Sequence, residues 1–107
     1  SIAFEEISER KGDFAIVAMS AWVGYKDEKV AARLGFGGVE DRPRHLAVED
    51  FEVRYDRIIE QIDDFVDELV PLEDRRATGA FRKQLARHLS KKVFKTALGN
   101  SEFEANK

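Results

Sequence analysis

The chain has no cysteine, and only two prolines, two histidines, one methionine and one tryptophan in 107 residues. Without cysteine it cannot form disulfides, bind metal through thiolates, ligate an iron–sulfur cluster or use a thiol nucleophile, and the absence fits a reducing compartment. Long hydrophobic runs are missing as well. No stretch approaches the roughly 18 apolar residues of a membrane span, and no basic-then-apolar leader opens the sequence. A soluble, cytoplasmic protein without a membrane partner is expected. The opening at Ser1, with Phe4 already serving as an apolar anchor, suggests that a preceding portion belongs with it.

What is present is charge, unevenly placed. The formal net charge is only −3. Yet Glu49 to Asp74 carries eleven acids against Arg54 and Arg57, whereas Arg75 to Leu98 carries eight Lys or Arg and no acid. The two segments are electrostatic complements. A basic stretch of this length can be a nucleic-acid footprint, but in an acidic protein the simpler reading places it beside its acidic neighbour in one fold, and no nucleic-acid partner is expected.

The length fits one globular domain over residues 1–100, with residues 101–107 as a polar tail. Phe4 to Asp13 reads as a charged turn ending in Gly12-Asp13. Asp13 to Val23 is rich in aromatic and β-branched residues with both alternate faces mostly apolar, which predicts a strand needing cover on both sides. After a polar reversal at 25–29, the alternation from Val30 to Phe36 predicts the return strand, and a short edge strand is expected over His45 to Val48. The period then changes. Ile58, Ile59, Ile62, Phe65, Val66 and Leu69 form one helical stripe, with Asp56 as its N-cap and Pro71 beyond its end. A second helix is predicted from a Thr78 cap, with Phe81, Leu85, Leu89, Val93 and Ala97 facing inward and Gly99 closing it. This is an α+β pattern: a three-stranded antiparallel meander followed by helices packed on one face. An apolar strand face left uncovered predicts a partner surface.

Independent catalysis has little support. His45 and His88 have no second ligand at metal spacing, so no metal site is expected. Asp63, Asp64, Asp67 and Glu68 read as a solvated helix face rather than an acid–base pair. Gly35-Phe36-Gly37-Gly38 lacks the Lys-Ser/Thr of a phosphate loop and no helix follows it, so it reads as a turn. Ser8 and Ser20 have no His nearby in sequence. Arg10, Lys11 and Asp13 can brace a turn through backbone hydrogen bonds while presenting charge to a neighbour. Trp22 reads as core or rim.

Three blocks carry a family resemblance: FEEISERKGDFAIV from Phe4 to Val17, ARLGFGGVEDRPR from Ala32 to Arg44, and the segment Pro71 to Leu98 ending in TGAFRKQLARHLSKKVFKTAL. In order and spacing they resemble the C-terminal domain of the FAD-binding subunit in the xanthine dehydrogenase and aerobic carbon monoxide dehydrogenase family. In the last block Asp74, then Ala77 or Thr78, then Phe81-Arg82 stand where the family has Asp, a small residue and Tyr-Arg. The resemblance implies an oxidoreductase complex in which a molybdopterin subunit oxidises substrate, [2Fe-2S] clusters relay electrons and a flavin subunit passes them onward. It implies FAD in the parent subunit, held mainly by an N-terminal FAD-binding domain outside this chain. Glu6 then falls near a flavin-proximal position where several members carry Lys, and Phe4, Arg10, Asp13 and Trp22 become the candidate interface. No catalytic residue carries over. The alternative is a freestanding α+β interaction or dimerisation module without a redox role.

Overall fold

In the computed structural model, residues 2–11, 14–26, 29–50, 55–75 and 77–105 are described. Four strands, β1 (Ile2–Lys11), β2 (Phe14–Lys26), β3 (Lys29–Gly37) and β4 (Arg44–Asp50), precede two helices, α1 (Tyr55–Glu68) and α2 (Gly79–Ala105). The sheet is an antiparallel meander in the order β1-β2-β3-β4. The expected α+β architecture is present, but with four strands instead of three. The additional strand is β1, in the segment read as a charged turn. Its charges hide it: an edge strand pairs on one side only, so Glu5, Glu6, Glu9 and Arg10 can be accommodated without the alternating apolar signature of an inner strand.

Alternation along β2 sorts the two faces. Val17, Met19, Ala21 and Val23 are buried, as are Ala32, Leu34 and Phe36 of β3 and Val48 of β4. These meet Ile58, Ile62, Val66 and Leu69 of α1 and its exit, and Ala86, Leu89, Val93, Phe94, Ala97 and Leu98 of α2, in one core. Helix α2 lies over β1 and β2 and reaches β3, while α1 packs on β4 and α2. Phe36 and Phe65, with ring centroids 5.0 Å apart and tilted by 47°, join β3 to α1.

The other face is not the continuous apolar surface that the sequence suggested. Ala18, Ser20 and Trp22 of β2 are only half-buried. In register with them lie Ser8, Glu6 and Phe4 of β1 and Gly37, Gly35 and Arg33 of β3. Among the residues whose burial is described, this face is made of small and polar residues around Trp22, whose ring lies 5.3 Å from the Arg33 guanidinium carbon.

The helices follow their caps, with two departures. Thr78 accepts a hydrogen bond through Oγ1 from the Phe81 amide at 3.1 Å and caps α2 as expected. Gly99, expected to close α2, lies inside it, and the helix runs to Ala105 through most of the expected tail. Phe81 is not on the buried stripe but 42% exposed, and Arg82 takes the inward position at 4% exposure. Asp56 sits within the first turn of α1 rather than ahead of it. No helix among the described residues is long and apolar enough to cross a membrane.

Candidate functional site: the Arg82 corner and the uncovered sheet face

Near the end of the β1–β2 ladder the register slips: Glu9 faces Val17 but Arg10 faces Ala15, so Ile16 is an extra residue in β2. Such a bulge bends the strand and takes one residue out of the ladder. Ile16 is thereby buried next to Val17 rather than alternating outward, and its carbonyl accepts from Arg82 Nη1 at 2.9 Å. The same Nη1 donates to the Gly38 carbonyl at 2.8 Å, and Nη2 to Asp74 Oδ1 at 2.9 Å. One planar guanidinium thus ties together β2, the exit of β3, the loop before α2 and α2 itself. Its Nε is buried without a hydrogen-bond partner among the described residues.

Gly38 is required for this closeness. Its φ is +80°, and a Cβ there would stand 2.3 Å from the Ile16 carbonyl oxygen. Only glycine combines that left-handed conformation with that approach. Gly35, Phe36 and Gly37, read from sequence as part of a turn, instead belong to β3, and only Gly38 stands at its exit, where it serves backbone packing.

The loop between the helices is held from several sides. The Leu72 amide donates to the Val39 carbonyl at 2.6 Å, and Asp74 and Ala77 exchange bonds, amide to carbonyl and amide to carboxylate, both at 3.2 Å. Glu73 accepts from the Gly79 amide at 3.2 Å. Farther along, Glu40 Oε2 accepts from the Val70 amide at 2.8 Å while its Oε1 pairs with Arg44 at 2.9 Å. The Val70 amide first, and Arg44 second, hold the Glu40 carboxyl below its usual range.

Between this loop and the end of β1 opens a cleft of about 640 Å³, lined by Glu9, Arg10, Ile16, Asp74, Arg75, Ala77, Thr78 and Phe81. It combines one half-exposed aromatic with carboxylates and guanidinium groups. Of the candidate residues named from sequence, Arg10 lines this cleft. Glu6 is exposed and paired with Ser20, two register positions from the Phe4–Trp22 pair, so Glu6, Phe4 and Trp22 occupy positions on the same, uncovered sheet face. Asp13 lies outside the described residues. His45, in register with Gly35, is on the same face, whereas His88 is exposed on α2. Sequence reading overlooked Arg82 as a structural hub. The signal was available: Arg82 stands one helical turn before Ala86, on the stripe that continues through Leu89 and Val93.

The acids of α1 are partly engaged rather than merely solvated. Asp63 Oδ1 accepts from Arg87 at 2.9 Å and Lys91 at 2.7 Å; Arg87 also pairs with Asp67, and Lys83 Nζ donates to the Asp67 carbonyl at 2.8 Å. The complementary segments do lie side by side. Lys91 foremost, then Arg87, keeps the Asp63 carboxyl below its usual range, and Asp67 and Asp63 raise Arg87.

A meander of four antiparallel strands with two antiparallel helices on one face, braced at a buried arginine, defines the class to which the chain conforms. The sequence model of the CO dehydrogenase flavoprotein C-terminal domain matches residues 2–97, and the chain belongs to that family. Among solved structures, the crystal structure of quinoline 2-oxidoreductase from Pseudomonas putida 86 is similar, with a TM-score of 0.71 and 23% identity. The likeness covers 94% of this chain but 37% of that one, so the chain spans little more than a third of its structural relative. No curated protein sequence matches the chain significantly.

Proposed function

We propose that these 107 residues are the C-terminal domain of an FAD-binding oxidoreductase subunit in a cytoplasmic complex of the molybdenum hydroxylase type. The domain does no chemistry alone. It docks on the N-terminal FAD-binding domain, and through it supports electron flow from the molybdopterin and [2Fe-2S] subunits to FAD. The observation that carries this reading is the family match across nearly the whole chain, on a fold that makes up only part of a longer relative.

The described residues do not fit the task of holding FAD by themselves. A dinucleotide pyrophosphate needs free backbone amides at a helix start or a glycine loop. Here the Gly79 and Phe81 amides at the start of α2 already bond Glu73 and Thr78, and Gly38 is pressed against the Ile16 backbone. Docking is better supported, through Arg10 and Phe81 at the cleft and through Glu6 and Trp22 on the uncovered sheet face. The test is reconstitution with the flavin-holding portion of the subunit. The two pieces are expected to co-migrate with one FAD per pair, and failure of the separately folded pieces to associate contradicts the proposal.

A further inference from the structure

The two helices form an antiparallel pair, fixed by the contacts of Asp63 with Arg87 and Lys91 and of Asp67 with Arg87 and Lys83. Their outward surfaces have opposite charge. On α1 the exposed stripe is Glu60, Asp64 and Glu68, with Arg57 as its one basic member at the start of the helix; on α2 it is His88, Lys92 and Lys95, beside a groove of about 470 Å³ lined also by Gln84, Arg87 and Lys91. At 1.5 Å per residue these stripes run about 12 Å and about 10 Å. They match in length and spacing, and no acid lines the groove.

We infer that this helical face associates with a second copy of the chain, α1 of each copy lying antiparallel in the basic groove of the other's α2. Because the helices lie side by side, a two-fold axis parallel to them places α1 over the partner's α2 and, by the same operation, α2 over the partner's α1. Both contacts are attractive. A nucleic-acid occupant is disfavoured by the same arrangement, since the acidic stripe of α1 flanks the groove and would face the phosphates. This surface is on the opposite side of the domain from the uncovered sheet face, so the inference is independent of the docking proposed above.

Exposed ion pairs are individually weak and are screened by salt, so the association is weak and salt-sensitive. Sedimentation equilibrium of the 107-residue chain tests it. The dimer dissociation constant is expected to rise roughly tenfold or more between about 50 mM and about 300 mM NaCl. Glu60→Lys with Asp64→Lys in one variant, and Lys92→Glu with Lys95→Glu in another, each abolish dimerisation. An equimolar mixture of the two variants restores it, because both cross-contacts again pair opposite charges. A chain that is monomeric at low salt overturns the inference. So does a dimer indifferent to both reversals, a mixture that fails to associate, or binding of a DNA duplex by the wild-type groove at salt concentrations where no dimer forms.

Discussion

Arg82 Nη1 donates to the carbonyl of Ile16, 66 residues earlier, at 2.9 Å in the interior of the domain. The bond exists because the bulge at Ile16 releases that carbonyl from the ladder, and because α2 turns Arg82 inward at its first full turn. Arg82→Ala leaves the Ile16 and Gly38 carbonyls without their donor. Each buried polar group left unsatisfied costs about 1–3 kcal/mol, so a loss of roughly 2–4 kcal/mol is expected in chemical denaturation. Arg82→Lys should recover little of it, since one ammonium cannot reproduce the fork that spans two carbonyls and Asp74.

Two glycines should respond with opposite signs. Gly38→Ala meets a left-handed φ of +80° and an oxygen 2.3 Å from the new Cβ, and a destabilisation of at least ~2 kcal/mol is expected. Gly99→Ala is inside α2, where nothing lies within 4 Å of a new Cβ, and should stabilise by roughly 0.5–1 kcal/mol. Thermal melts of the two variants against the parent check both signs.

Much of this fold was legible in the sequence. The aromatic and β-branched run from Asp13 to Val23, the alternation from Val30 to Phe36, the change to helical period near residue 58 and the Thr78 cap each led to the element observed. The uneven placement of charge foretold the contact between α1 and α2. What stayed hidden was set by partners distant in sequence. β1 is concealed by its edge position, the bulge because the carbonyl it frees is met by Arg82, far along the chain, and the continuation of α2 past Gly99 by the weakness of one exposed glycine as a helix stop. At the candidate site, Arg10 was legible as a charged group at a turn that could present its charge to a neighbour; Phe81 was misplaced, because the helical stripe is centred one residue later, on an arginine.

Acid should loosen the joint between the helices and the loop beside Glu40. Asp63 and Glu40 both have carboxyls held below their ordinary values of 3.8 and 4.5. A depressed carboxylate contributes stability that is fully present above the unfolded-state value and is lost as pH falls through the lower folded-state value. The unfolding free energy should therefore be level above about pH 5.5 and decline steadily below about pH 4.5. Asp63→Asn should flatten part of that decline, measured by denaturant titrations across the range.

Docking residues should separate from structural ones. Phe81→Glu and Arg10→Glu change exposed side chains at the cleft, and Trp22→Ala changes a half-buried one on the open sheet face. The two cleft variants should leave the unfolding free energy of the domain nearly unchanged, within about 0.5 kcal/mol. All three should weaken association with the flavin-holding portion of the subunit, as read by calorimetric titration.

In the proposed role, this domain completes a flavoprotein subunit without holding the flavin by itself. Equilibrium dialysis of the refolded 107-residue chain against FAD, repeated with the flavin-holding portion present, tests it most directly. No stoichiometric FAD is expected with the chain alone, and one FAD per pair once both pieces are combined. Stoichiometric, tightly retained FAD on the 107 residues alone would contradict it.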